Sequence, residues 1–168
     1  FEGYATRFGV LYPMQTFSKD RPVDFKSIPC FIEASDSKTL ECIQSLALSI
    51  SEKVYMLSSY DRKYLHLSAV FACNFVNHCY EIAAEILHQH DIPFEVLQSL
   101  IDETARKIHM LSPRDAQTGP AVRYDKNVIE AQRNLLADSP LWQEIYERMS
   151  ASIHRTAITN KSNRYDKL

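Results

Sequence analysis

At 168 residues with 45% apolar and 11% aromatic side chains, the chain has material for one substantial core, or one core and a small appendage. Its 19 basic and 21 acidic residues leave a formal charge of -2. That balance excludes the strong positive field that gathers nucleic acid or an anionic membrane surface.

The first elements read as an α/β unit. Phe8 to Tyr12, stopped by Pro13, and Ile28 to Glu33 are rich in β-formers and bounded by polar turns, so both are predicted strands. Asp36 or Ser37 caps a helix in which Leu40, Ile43, Leu46, Ala47 and Ile50 recur at helical spacing, and Lys53 to Leu57 resumes a strand pattern. A helix between two short apolar strands predicts a parallel crossover. Three strands leave an edge open, so further strands are expected in the intact protein.

From Ser59 to about His90 the pattern is one long helix, with Ser58 and Asp61 as a capping box. Ala69, Val70, Phe71, Ala72, Cys73, Phe75 and Val76 leave no polar face, which predicts a central core helix packed around its whole circumference. Asn74, Asn77, His78, Glu81 and Glu85 interrupt the apolar run, so it does not read as a bilayer span. A second helix starts near Pro93, buries Phe94, Leu97, Leu100, Ile101 and Ile108, and ends before Pro113. After a loop, Asp125 caps a third with Val128, Ile129, Leu135 and Leu136 inward, and Ser139-Pro140 opens a fourth carrying Leu141, Ile145, Met149 and Ile153. The tail after His154 is polar and expected to fray.

The fold class is therefore mostly α: a helical bundle around one long central helix, preceded by a short α/β segment. The divisions are residues 1–57, 58–153 and a polar tail at 154–168.

Two absences bear on function. The chain opens at Phe1 without Met, and its only glycines are Gly3, Gly9 and Gly119. No glycine-rich phosphate loop can be drawn from glycines so placed, and the chain is expected to be part of a longer protein. Cys30, Cys42, Cys73 and Cys79 form no Cys-x-x-Cys pair, so they read as reduced core residues of a cytoplasmic protein, with no metal site.

Three places carry candidate chemistry. At 100° per residue His66, Val70, Cys73 and Asn77 fall near one line on the long helix, with Asn74 beside them. Either these polar groups are satisfied structurally, or they form a cleft wall where a neutral His exchanges a proton and Asn binds substrate. The loop Gln117 to Asp125 offers Thr118, Gly119, Arg123 and Asp125 within a few residues, which suits an anion grip or a plain helix connection capped by Asp125. Gln15, Thr16 and Ser18 follow a predicted strand, where α/β proteins place ligand-contacting loops, although Pro13 also simply ends the strand. His88 and His90 point to different sides, and Glu103 with Arg106 reads as a surface ion pair.

Together LYPMQTFS at Leu11 to Ser18, IPCFIEA at Ile28 to Ala34, KYLHLSAVFACNF at Lys63 to Phe75, LIDETARK at Leu100 to Lys107 and AQTGPAVRYD at Ala116 to Asp125 carry a resemblance. The chain resembles the bacterial family that joins a Rossmann-like domain to "domain of unknown function 2520", in a Bacteroides-type version. That family is similar to NADP- or coenzyme F420-dependent oxidoreductases, with helices like the C-terminal domain of 6-phosphogluconate dehydrogenase.

The resemblance implies that the chain begins inside a Rossmann-like domain and runs through the helical one. NADP, or NAD, would then be bound mainly by a missing N-terminal domain. It places Gln15 and Thr16 at the cofactor end of the cleft, His66 and Asn74 on the long helix, and Thr118, Gly119, Arg123 and Asp125 on a loop closing the cleft over a small-molecule substrate in a homodimer; with the helix spacing, His66 and Asn74 are the candidate catalytic residues and Asn77 a substrate-binding one. Tyr12 stands where many members have His, and Tyr124 where many have Gly. The alternative is a non-catalytic nucleotide- or small-acid-binding scaffold or sensor that dimerises through the long helix.

Overall fold

The structure, a computed structural model, describes residues 3–165, with side-chain surroundings as far as residue 159. It is mostly α, with a short α/β segment at the start, and the chain divides into two compact units, Phe1–Asn77 and His78–Leu168.

The first unit is built on strands β1 (Gly9–Pro13), β2 (Cys30–Ala34) and β3 (Val54–Met56), in that order in one sheet. β1 and β2 pair antiparallel, since the chain between them returns through a loop with no crossover helix. β2 and β3 pair parallel across helix α1 (Ser37–Ile50), the expected crossover. Alternation along β2 sends Cys30 and Ile32 into the core with Ile28 and Ala47, all at most 2% exposed. Phe31 on the other face stacks on Tyr55, its neighbour in the parallel register, with centroids 5.6 Å apart.

Local chemistry starts both α1 and the helix after β3. Asp36 caps α1, its carboxylate accepting from the Thr39 backbone N–H at 3.0 Å and the Thr39 hydroxyl at 2.6 Å. These bonds hold the Asp36 carboxyl below the ordinary aspartate range. Ser58 caps helix α2 (Ser59–Ala69), accepting from the Asp61 N–H at 3.0 Å and donating to its carboxylate at 2.6 Å. This is the predicted capping box.

The long helix differs from its expected form. α2 ends at Ala69, a π-turn occupies Val70–Asn74, and helix α3 (Phe75–His88) follows. The Phe75 N–H donates to the Val70 carbonyl five residues back instead of four. A uniform 100° step therefore fails beyond Val70, and the single polar line from His66 to Asn77 is not realised as drawn. Nor are the middle turns enclosed: Phe71 is 62% and Phe75 49% exposed, their rings edge to face at 4.9 Å. Apolar composition says that such a surface favours cover, not that this chain supplies it.

The second unit continues from α3 through a short 3-10 turn at Phe94–Leu97 into helix α4 (Gln98–Met110). Short helices α5 (Pro113–Ala116) and α6 (Pro120–Arg123) occupy the expected loop, then come α7 (Lys126–Asn134) and α8 (Pro140–Tyr165). Ala121 of α6 and Ser150 of α8 are buried where those helices meet. Arg133 of α7 pairs with Glu147 of α8, and the Tyr146 hydroxyl donates to Gln132 at 2.8 Å.

Three further expectations are corrected. α8 runs past His154 to Tyr165, where a frayed tail was expected. Leu100, Ile108, Val128, Leu135, Leu141 and Met149 are exposed although they sit at inward helical spacing. Among the cysteines only Cys30 is buried; Cys42 and Cys73 are exposed and Cys79 is half-buried, and all four are free thiols.

Candidate functional site

Residues Ser59, Arg62, Lys63 and His66 stand at i, i+3, i+4 and i+7 on α2, one face of the helix. With Tyr12 from β1 they line an open hollow of about 470 Å³. That volume lies in the range of small-molecule sites. The Tyr12 hydroxyl and His66 Nδ1 are 2.9 Å apart, a hydrogen bond spanning 54 positions of sequence. If the phenol donates, His66 presents Nε2–H to the hollow; if Nδ1–H donates, Nε2 is a base and the phenol proton faces outward. Either arrangement offers one proton to a bound acceptor.

Beside this pair, Glu33 at the end of β2 accepts from the Ser59 hydroxyl at 2.5 Å and from Arg62 Nη1 at 3.1 Å, while Arg62 Nη2 donates to the Ser59 hydroxyl at 2.8 Å. The Ser59 hydrogen bonds hold the Glu33 carboxyl below its ordinary range against the opposing effect of burial, and Arg62 adds a lesser lowering. Arg62 is thus engaged, whereas Lys63 makes no ion pair among the described residues.

Gln15 and Thr16 lie on the loop after β1, lining a separate hollow of about 360 Å³ with Ser18, Arg21 and Ser27. Both are exposed, and the Gln15 side-chain oxygen accepts from the Thr16 N–H at 2.9 Å. Asn74, in the π-turn, and Asn77 are exposed, and neither side chain makes a hydrogen bond among the described residues. All these positions belong to the first unit.

Thr118, Gly119, Arg123 and Asp125 fall in the second unit, around α6. Gly119 opens α6 at φ 109°, a conformation that L side chains avoid, with free space where a Cβ would point. The Asp125 carboxylate accepts from the Val128 N–H at 3.3 Å and caps α7, the structural role its spacing allowed. Thr118 and Arg123 are exposed, and Arg123 has no ion pair among the described residues.

The glycines serve packing and turns. A Cβ on Gly9 would sit 2.3 Å from Ile43 Cδ1 and 2.6 Å from the Glu33 carbonyl, so its missing side chain serves packing of α1 on the sheet. No glycine-bounded phosphate loop exists among the described residues, and no group of three or more metal-ligating side chains gathers there. No described helix is long and apolar enough to cross a membrane.

Sequence reasoning had His66 but missed Ser59, Arg62 and Lys63 as its neighbours, and treated Tyr12 only as a departure. Their i, i+3, i+4, i+7 polar spacing was the available signal. The contact with Tyr12 had none, since only the fold sets β1 beside α2.

A crystal structure of "putative NADP oxidoreductase BF3122" from Bacteroides fragilis superposes with a TM-score of 0.88 at 55% sequence identity, covering 92% of this chain and 60% of that one. The crystal structure of protein TM1727 from Thermotoga maritima shares the fold, with a TM-score of 0.74 at 22% identity, covering 91% of this chain and 62% of that one. The chain thus spans about three fifths of the length of either. No curated protein matches. The profile described as Domain of unknown function (DUF2520) matches residues 28–153. This chain belongs to the DUF2520 family.

Proposed function

We propose that the chain is the substrate-holding part of an NADP-dependent oxidoreductase whose dinucleotide cradle lies outside it. The observation that carries this reading is the Tyr12–His66 hydrogen bond at the mouth of a hollow of small-molecule size. The similarity to a Bacteroides protein named for NADP supports the cofactor, with NAD and F420 as the other expectations. A nicotinamide cofactor, when bound, supplies hydride. This chain's residues bind the substrate and keep a proton at the Tyr12 hydroxyl or at His66, where it can reach an oxygen or nitrogen that gains negative charge. Asn74 joins His66 as a catalytic candidate, Asn77 bears on substrate and Gln15 and Thr16 on the cofactor, while Thr118, Gly119, Arg123 and Asp125 are the substrate candidates of the second unit taken by itself. The four free thiols suit a cytoplasmic protein.

Calorimetric titration of the full-length protein with NADPH and NADH tests the reading, followed by NADPH oxidation with small carbonyl and imine substrates. Binding is expected for NADPH, with His66→Gln lowering kcat by about a hundredfold and leaving cofactor affinity unchanged. Absence of heat with both cofactors sinks the reading.

A second reading, a scaffold that dimerises through the long helix, draws on exposed Phe71 and Phe75. It gains if Phe71→Ser converts a dimer to a monomer in sedimentation while His66→Gln changes no ligand affinity.

A further inference from the structure

The charges around the Tyr12–His66 pair are unbalanced in one direction. None of the five residues lining its hollow is acidic: they are Tyr12, Ser59, Arg62, Lys63 and His66. The Glu33 carboxylate accepts from two of the lining residues, Ser59 and Arg62. Asp61 accepts from the Ser58 hydroxyl at the start of α2. What is left is the Lys63 ammonium, exposed and without an ion pair among the described residues, one helical turn before His66.

An ammonium needs no fixed partner in water, so an exposed lysine alone says little. Its setting says more. Lys63 shares a hollow with two groups that hydrogen-bond each other and with a guanidinium paired to Glu33, so among the described lining residues it is the cation without an ion pair. An anionic group beside Lys63 would gain a charge-assisted hydrogen bond within the hollow that Tyr12 and His66 also line.

Resting on the reading above, we propose that Lys63 is the head-group anchor of this hollow, and that the substrates are small anions carrying a carboxylate or phosphate next to the group that reacts. Arg62 is a positioning residue: held by Glu33 and Ser59, it offsets the Glu33 negative charge beside the hollow. Lys63 sets specificity through ground-state binding, and the Tyr12–His66 pair handles the proton.

The test uses the chain itself and needs neither cofactor nor turnover. The His66 ring resonances, assigned against His66→Gln, are followed by NMR while inorganic phosphate is added in one arm and malonate in the other, with ionic strength held by sodium chloride. A saturable His66 shift is expected in at least one arm, and the responding arm tells phosphate from carboxylate. Lys63→Gln should weaken that binding about tenfold, the loss of one charge-assisted hydrogen bond, whereas Lys63→Arg should stay within about threefold. Lys107→Gln, exposed on α4, should change nothing. A shift that chloride reproduces, or one that Lys63→Gln leaves intact, overturns the anchor, as does silence in both arms. Failure of NADPH to bind overturns the oxidoreductase reading alone.

Discussion

The ring of Tyr124 lies nearly flat on that of His154, with centroids 4.2 Å apart and planes 19° from parallel. Lys126 Nζ approaches the same Tyr124 ring to 5.3 Å from its centroid. Tyr124 ends α6 at φ 55° and ψ 48°, the left-handed conformation that glycine adopts freely. The backbone cost of roughly 1 to 2 kcal/mol is offset by a stacked pair worth about 0.5 to 1.5 kcal/mol and a cation–π contact of similar size.

A reversed order of variants is therefore expected at this position. Tyr124→Ala keeps the strained backbone and loses both ring contacts, so it should lose about 1 to 2 kcal/mol. Tyr124→Gly loses the contacts but sheds the strain, and should be about 1 kcal/mol more stable than the alanine variant. Urea unfolding decides it; an alanine variant at or above the glycine variant contradicts the account.

Among the described residues, the buried His154 Nδ1 has no hydrogen-bond partner. His154→Phe keeps a ring on Tyr124 and removes that unpaired nitrogen, so stability should be unchanged or rise by up to about 1 kcal/mol. His154→Ala should destabilise. A clear loss with Phe, read by thermal melting, would show that the nitrogen has a partner.

Gly9→Ala should be among the most damaging single-methyl additions in the chain. The new Cβ would overlap Ile43 Cδ1 and the Glu33 carbonyl. Ile43→Val in the same chain relieves only the first, because the carbonyl is backbone. Denaturation should show a loss of about 2 to 3 kcal/mol that the second substitution recovers by less than half.

Ser51, 2% exposed, donates to the Ile28 carbonyl at 2.6 Å and accepts from the Lys53 N–H at 3.0 Å, tying the end of α1 to both flanking strands. Ser51→Ala strands both backbone groups in the core and should cost about 1 to 3 kcal/mol. Faster amide exchange at Lys53 is the local sign to look for.

Acid should weaken the first unit through Glu33. Its folded pKa is depressed, so the stabilisation is fully present above the ordinary glutamate value and is lost as pH falls through the lower folded value. Stability followed by denaturation from neutrality to below roughly pH 4 should fall less steeply in Glu33→Gln than in the unaltered chain. At neutral pH that substitution should cost about 1 kcal/mol or less, since the Arg62 pair is partly open to water. Parallel curves would assign the acid sensitivity elsewhere.

Much of the fold was legible where the chemistry is local. Asp36, Ser58 and Asp125 cap the helices their spacing announced, and Pro140 opens α8 as expected. β2 and β3 pair parallel across α1 because a strand, helix and strand have few ways to close. Illegible were contacts that join distant positions, such as Tyr12 with His66 and Ser51 with Ile28, which no periodicity encodes. Burial of the helical residues was overestimated for a related reason. Spacing at Leu100, Leu135 or Leu141 identifies an apolar stripe but not whether anything in the same chain lies against it.

The π-turn at Val70–Asn74 gives the long helical run a phase slip. A wider turn takes in more residues than an α-turn does, so the face that carries Ser59, Lys63 and His66 does not continue as the same face of α3. The two halves can accept substitutions as though they were separate helices. Removing a single residue between Val70 and Asn74 would restore the phase, swinging α3 by about 100° about its axis. Length within this short turn is thus under tighter constraint than the identity of its residues.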